Sequence, residues 1–336
     1  MNALGRGATI FGLEGTELTV AEAAFFRAAD PFGFILFARN IDTPDELRRL
    51  TASLRDCVGR DAPVFIDQEG GRVQRMRPPH WADWLPPRDA VRQAGAGAAR
   101  MMWLRARLIA AELRAAGIDG NCAPCLDIAG ADTHPFLRNR CYGDDVATVV
   151  AMGRATVDGH LAGGVLPVMK HMPGHGRATA DTHLDLPTVT ASAAELAASD
   201  FAPFGALADV PLAMTAHIVF AAYDARPATC SPVMMEVMRH QIGFDGLLMT
   251  DDLNMEALSG TLAERTSAAM AAGCDIALHC KGVLDQMEAV AEAAGDMGPE
   301  TLRRAAAALA ARHAPDVVDL AALRAEHDAL IGTSHG

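Results

Sequence analysis

The sequence predicts an α/β protein built as a single (β/α)8 TIM barrel with C-terminal closing helices. Two observations carry that expectation. Short apolar runs recur eight times, each ending at a polar or glycine-rich loop, and the stretches between them are Ala/Leu/Arg-rich with helical periodicity. Alternation of this kind makes parallel strands with covering helices, and eight units close a barrel. The length of 336 residues suits a fold that commonly takes roughly 250 residues plus insertions. An open doubly wound sheet is disfavoured because no Gly-x-Gly-x-x-Gly turn follows an early strand.

In chain order, the strand-like runs lie at residues 8–13, 33–37, 64–66, 120–123, 165–169, 212–215, 246–250 and 275–278. Amphipathic stretches at 43–57, 95–116, 146–162, 191–208 and 255–272 read as helices, and 299–331 reads as two helices closing the barrel. No domain boundary or low-complexity segment interrupts the chain, so residues 1–336 are expected to form one catalytic domain.

Composition narrows the function. A net charge of -13 opposes nucleic acid and anionic membrane, which need clustered Lys and Arg. Seven cysteines, an odd number in mostly apolar segments, suit buried thiols in a reducing compartment. The N-terminal twenty residues lack the apolar run of a signal peptide, and no later apolar stretch reaches 18 residues. A cytoplasmic monomer with no membrane span is expected, acting on a small neutral or weakly charged molecule.

In such barrels chemistry sits at the C-terminal ends of the strands. Strand three runs into Asp67-Gln68-Glu69-Gly70-Gly71-Arg72-Val73-Gln74-Arg75, and strand five into Lys170-His171-Met172-Pro173-Gly174-His175-Gly176. Strand six ends in Thr215-Ala216-His217, and strand seven in Thr250-Asp251-Asp252. The chain has only two lysines, Lys170 and Lys281, which singles out Lys170. On the residues alone two chemistries stay open. One is glycoside hydrolysis, with a carboxylate attacking the anomeric carbon and a second group protonating the leaving oxygen. The other is metal-assisted hydrolysis using His171, His175, His217 and Asp251. Against the metal, Pro173 and Gly174 keep His171 and His175 off one helix. Asp181-Thr182-His183 favours the first, because an aspartate two residues before a histidine can fix the ring's tautomer and make it a proton shuttle. A sugar-binding barrel without catalysis is the third reading.

These motifs, with Gly12-Leu13-Glu14-Gly15, Leu36-Phe37-Ala38-Arg39-Asn40 and Thr250-Asp251-Asp252-Leu253-Asn254-Met255, resemble the glycoside hydrolase family 3 β-N-acetylglucosaminidases of bacterial cell-wall recycling. The resemblance spans nearly the whole chain. It implies a retaining exo-enzyme that needs no metal or cofactor and removes terminal N-acetylglucosamine from peptidoglycan-derived muropeptides ending in anhydro-muramic acid. It also implies Asp251 as nucleophile, His183 partnered by Asp181 as acid/base, and Asp67, Arg75, Arg140, Lys170 and His171 as sugar holders. Arg140 lies in Asn139-Arg140-Cys141-Tyr142-Gly143, which departs from the family wording at Cys141 and Tyr142. In β-glucosidase relatives a second domain typically supplies the acid/base, so this barrel is expected to find its proton donor in its own loop.

Several other features read as structural. Asp252 is expected to cap a helix or sit at the surface, because neighbours on a strand face opposite ways. Cys122-Ala123-Pro124-Cys125 lies in a strand and reads as packed thiols rather than a redox pair. Asn121 and Asp127 are expected to orient site loops, and His279 with Cys280 to form a packed pair. His217 stands open between substrate contact and support.

Overall fold

The computed structural model describes residues 3–131, 133–178 and 186–332. Eight parallel strands form one sheet: β1 (Gly7–Phe11), β2 (Pro31–Leu36), β3 (Val64–Ile66), β4 (Gly120–Asn121), β5 (Leu166–Met172), β6 (Leu212–Thr215), β7 (Leu247–Met249) and β8 (Ala277–His279). From β1 to β7 each strand pairs with its sequence neighbour, and β1 pairs with β8. A Met249–Ile276 bridge beside β7 and β8 brings the last edges together, so the sheet is an almost completely closed barrel.

All eight strands are buried on both faces, the condition of a parallel sheet covered by helices. The two-residue period then sorts the side chains. Ala8, Ile10, Leu212, Met214, Leu247, Met249 and Leu278 fill the barrel interior. Phe11, Phe34, Ala213, Leu248 and Ala277 face the helical shell. Among the last helices, Pro299–Ala310 adds Ala305 and Ala308 to the interior cluster, while Leu320–Leu330 lies against helix Ala98–Ala115.

The helices start where side chains satisfy their free N–H groups. Thr19 with Glu22, Thr43 with Glu46, Ser192 with Glu195 and Thr261 with Glu264 form reciprocal capping boxes. Two expected helices differ. The stretch 191–208 breaks into Ala193–Ala198 and Ala202–Ala206, because Pro203 has no N–H to donate and instead opens the second helix. The helix expected from 255 begins only at Leu262. Between β7 and that helix the chain makes turns held by Asp252, which places more polar side chains at the mouth. Among the described residues no helix is long and apolar enough to cross a membrane.

Candidate active site

The C-terminal ends of β3, β5 and β7 open on a cavity of about 240 Å3 lined by Asp67, Arg75, Arg140, Lys170, His171 and Asp251, among others. Ligand clefts commonly run to roughly 300–1,000 Å3, so the space suits one small ring. The sequence-predicted residues in the described part of the chain therefore converge on one pocket. Asp181 and His183 lie outside the described residues.

Asp67 leaves the end of β3 and is held by its surroundings. Asn121 on β4 accepts from the Gln68 N–H at 2.9 Å and donates to the Gln68 carbonyl at 3.0 Å. The Gln68 side chain accepts from the N–H groups of Arg75 and Met76 at 2.9 and 3.0 Å. This hairpin, Gln68–Gly70 against Val73–Gln74, returns Arg75 to Asp67, where its Nη2 donates at 3.0 Å. Lys170, whose side chain is 2 % exposed, reaches across from β5 and donates to Asp67 at 2.8 Å.

Glu69, which is not among the residues expected from the sequence, completes the cluster. It sits 2.6 Å from Lys170 Nζ and takes a two-pronged bond from Arg140, Nε to Oε2 at 3.0 Å and Nη2 to Oε1 at 2.8 Å. Three cations thus share two carboxylates in a buried site. Burial opposes ionisation of Glu69, yet Arg140 and Lys170 outweigh it and hold its carboxyl at about 2. Burial likewise opposes the charges of Asp67 and Lys170, and their mutual attraction outweighs it, moving Asp67 well down and Lys170 well up. The cluster therefore stays ionised, with donors and acceptors fixed at the pocket wall.

His171 is oriented by Asp127. The ring Nδ1 lies 2.7 Å from Asp127 Oδ2, and the His175 N–H donates to Oδ1 at 2.7 Å. Arg140 Nη2 lies 3.3 Å from His171 Nε2. An arginine only donates, so Nε2 accepts and the ring proton is on Nδ1, toward Asp127. Asp127 and Asn121 thus orient site loops, as expected. Burial drives His175 down to about 4, with His171 adding to the shift.

Asp251 follows β7, and its Oδ1 accepts from the Asp252 N–H at 2.8 Å. Burial opposes its charge; the His171 and His217 rings and that N–H outweigh burial, so its carboxyl is lowered and ionised. Burial lowers His217. Its Nε2 lies 3.1 Å from the Asp252 carbonyl and its Nδ1 2.7 Å from Thr229 Oγ1. With both ring nitrogens engaged in the protein and no place in the pocket lining, His217 supports the turn that carries Asp251.

Three expectations are corrected. Asp252 neither caps a helix nor sits at the surface: half-buried, it lines the pocket beside Asp251, and its Oδ1 accepts from Asn254 N, Asn254 Nδ2 and Cys280 N at 3.1, 3.0 and 3.2 Å, because the chain turns tightly before the Thr261 cap. His279 and Cys280 are not a pair, since His279 meets Gln286 at 3.2 Å while Cys280 lines the pocket. The group of possible metal ligands that does come together among the described residues is Cys125, Asp127 and His171, not His171, His175, His217 and Asp251. Its members bond one another, Cys125 Sγ donating to Asp127 Oδ2 at 3.3 Å. The thiols of Cys122 and Cys125 are unpaired by disulfide and raised, Cys122 chiefly by burial, the reverse of a redox-active pair.

Residues 27–310 match the family described as the glycosyl hydrolase family 3 N terminal domain. A β-hexosaminidase from Alkalilimnicola ehrlichii is 37 % identical over 286 residues, covering 82 % of this chain and 80 % of that protein. One from Methylococcus capsulatus is 38 % identical, covering 81 % and 82 %. Among solved structures, NagZ from Neisseria gonorrhoeae in complex with N-trifluoroacetyl-D-glucosamine superposes with a TM-score of 0.84 at 28 % identity, covering 99 % of this chain and 98 % of that one.

Proposed function

This chain belongs to glycosyl hydrolase family 3 and is a glycoside hydrolase of the β-hexosaminidase kind; from that premise we propose that it is a retaining exo-β-N-acetylglucosaminidase. Its substrates are peptidoglycan-derived muropeptides in which N-acetylglucosamine precedes an anhydro-muramic residue. The observation that carries the reading is an ionised Asp251 at the pocket shared with the Asp67, Arg75, Arg140 and Lys170 cluster. The cluster holds the sugar hydroxyls: Asp67 accepts, and Arg75, Arg140 and Lys170 donate. His171, oriented by Asp127, meets Arg140 and lines the same pocket as Asp251.

The Asp251 carboxylate attacks the anomeric carbon as the glycosidic C–O bond breaks, and His183, partnered by Asp181, gives its proton to the leaving oxygen. Water then surrenders a proton to His183 and attacks the same carbon, freeing Asp251 and restoring the original anomeric configuration. In this reading residues 1–336 act as one catalytic domain, a cytoplasmic monomer that needs no metal, and the helices after residue 298 close the base of the barrel. Ala305 and Ala308 in the interior cluster support the last point, and the undisulfided cysteines support the compartment.

The purified protein is expected to release the chromophore from a chromogenic N-acetyl-β-glucosaminide in the presence of a chelator, with the β-anomer of the sugar formed first. Absence of turnover, loss of turnover on chelation, or an α-product overturns the proposal. His183→Ala is expected to impair natural leaving groups far more than good ones, which need little protonation; equal loss on both contradicts the acid/base assignment.

A further inference from the structure

Among the described residues lining the pocket, Arg72 is the exposed one, and it therefore marks the open end. It is also the lining cation whose guanidinium meets neither a carboxylate nor a carbonyl oxygen among the described residues. Arg75, Arg140 and Lys170 are each engaged by Asp67 or Glu69.

Its position is fixed from two sides. The turn beneath it passes through Gly70 and Gly71, with φ of +106° and +59°, and a Cβ at Gly70 would lie 1.8 Å from Arg105 Nη2. Arg105, fully buried, binds the Glu69 and Leu85 carbonyls at 2.7 and 2.6 Å, so the hairpin is backed closely. On the other side the Arg72 guanidinium carbon lies 3.9 Å from the centroid of the Phe136 ring. A guanidinium held over an aromatic face still offers N–H groups to a planar acceptor.

We infer that Arg72 is a specificity-determining residue that recognises a carboxylate on the leaving-group side of the substrate. The inference rests on the glycosidase reading above and adds the charge of the leaving group. The sugar that is gripped occupies the buried end, with Asp67, Arg75 and Lys170, so the leaving group extends toward the exposed end and past Arg72. A chain of net charge -13 repels anions at long range, and a fixed cation at the mouth offsets that for an anionic leaving group.

The test compares two N-acetyl-β-glucosaminyl disaccharides, one whose second sugar bears a carboxylate-carrying ether and one lacking it, on the full chain and on Arg72→Gln. The wild type is expected to favour the acid about fivefold in kcat/KM at low salt, as a partly exposed ion pair allows, and the preference is expected to shrink at roughly 0.5 M salt. In Arg72→Gln the acid-to-neutral ratio is expected to fall to about one, through KM rather than kcat, with Arg72→Lys between. A wild-type ratio near one, or a ratio unchanged by Arg72→Gln, overturns the inference. Wild-type turnover of a neutral chromogenic substrate separates this failure from that of the underlying reading: without it, the glycosidase assignment itself has failed.

Discussion

Replacing Glu69 with glutamine tests whether the buried charge cluster organises the site. The substitution keeps the volume and removes one of the two anions that Arg75, Arg140 and Lys170 share. The side chains of Glu69 and Lys170 are each 2 % exposed, so water replaces little of the lost attraction. Two routes give the magnitude. Removing one partner of a buried pair costs about 3–5 kcal/mol. Independently, the Glu69 carboxyl is held at about 2 against an ordinary 4.5, and at about 1.4 kcal/mol per pH unit that difference corresponds to about 3 kcal/mol. Urea unfolding of Glu69→Gln at pH 7, followed by far-UV circular dichroism, is expected to show a loss of about 3 kcal/mol. The sign over pH follows from the lowered value. The contribution is fully present above the unfolded carboxyl's pH of about 4.5 and disappears as pH falls toward about 2, so the wild type and variant curves should converge across that window. A loss below about 1 kcal/mol, or curves that stay parallel down to pH 2, refutes the reasoning.

Two further substitutions probe the histidine and the loop. Asp127→Asn removes the carboxylate that holds the His171 Nδ1 proton, so kcat/KM for a chromogenic N-acetyl-β-glucosaminide is expected to fall about 100-fold, the scale of a small misplacement of a reacting group; near-wild-type kinetics contradict the orienting role. Asp252→Asn keeps an oxygen for Asn254 and Cys280 and is expected to retain most activity, whereas Asp252→Ala strands those donors and is expected to cost about 1–3 kcal/mol in the same unfolding assay.

Most of the barrel and the pocket could be read from the chain because strand ends are punctuated. Ile66 to Asp67 and Met169 to Lys170 are abrupt changes from apolar to charged residues, Asp251 comes two positions after the apolar run that ends at Met249, and the barrel rule gives all three one address. Asp127 was legible too, as a lone carboxylate beside a strand. Glu69 was not. Its partner Arg140 lies 71 positions away, and in a glycine-rich turn a glutamate looks like an ordinary solvated loop residue; the remaining signal was an excess of cations over carboxylates among the expected sugar holders. Asp252 was misread because alternation was carried past the end of β7, where the backbone stops being a strand. Arg72 stands inside the motif that follows β3, but its exposure at the mouth and its contact with Phe136 depend on how the turn between Gln68–Gly70 and Val73–Gln74 meets the short helix Pro135–Arg138.

The central claim is that Asp251 forms a covalent bond to the sugar. Incubation with a fluorinated N-acetylglucosaminyl donor that forms glycosyl-enzymes faster than they hydrolyse, followed by mass spectrometry of the protein and its peptides, reads this directly. One added sugar per chain, located by fragmentation to Asp251 and absent from Asp251→Asn, is the expected result. Attachment at Asp252 or Asp67, or an unmodified protein that still turns over chromogenic substrate, contradicts the account.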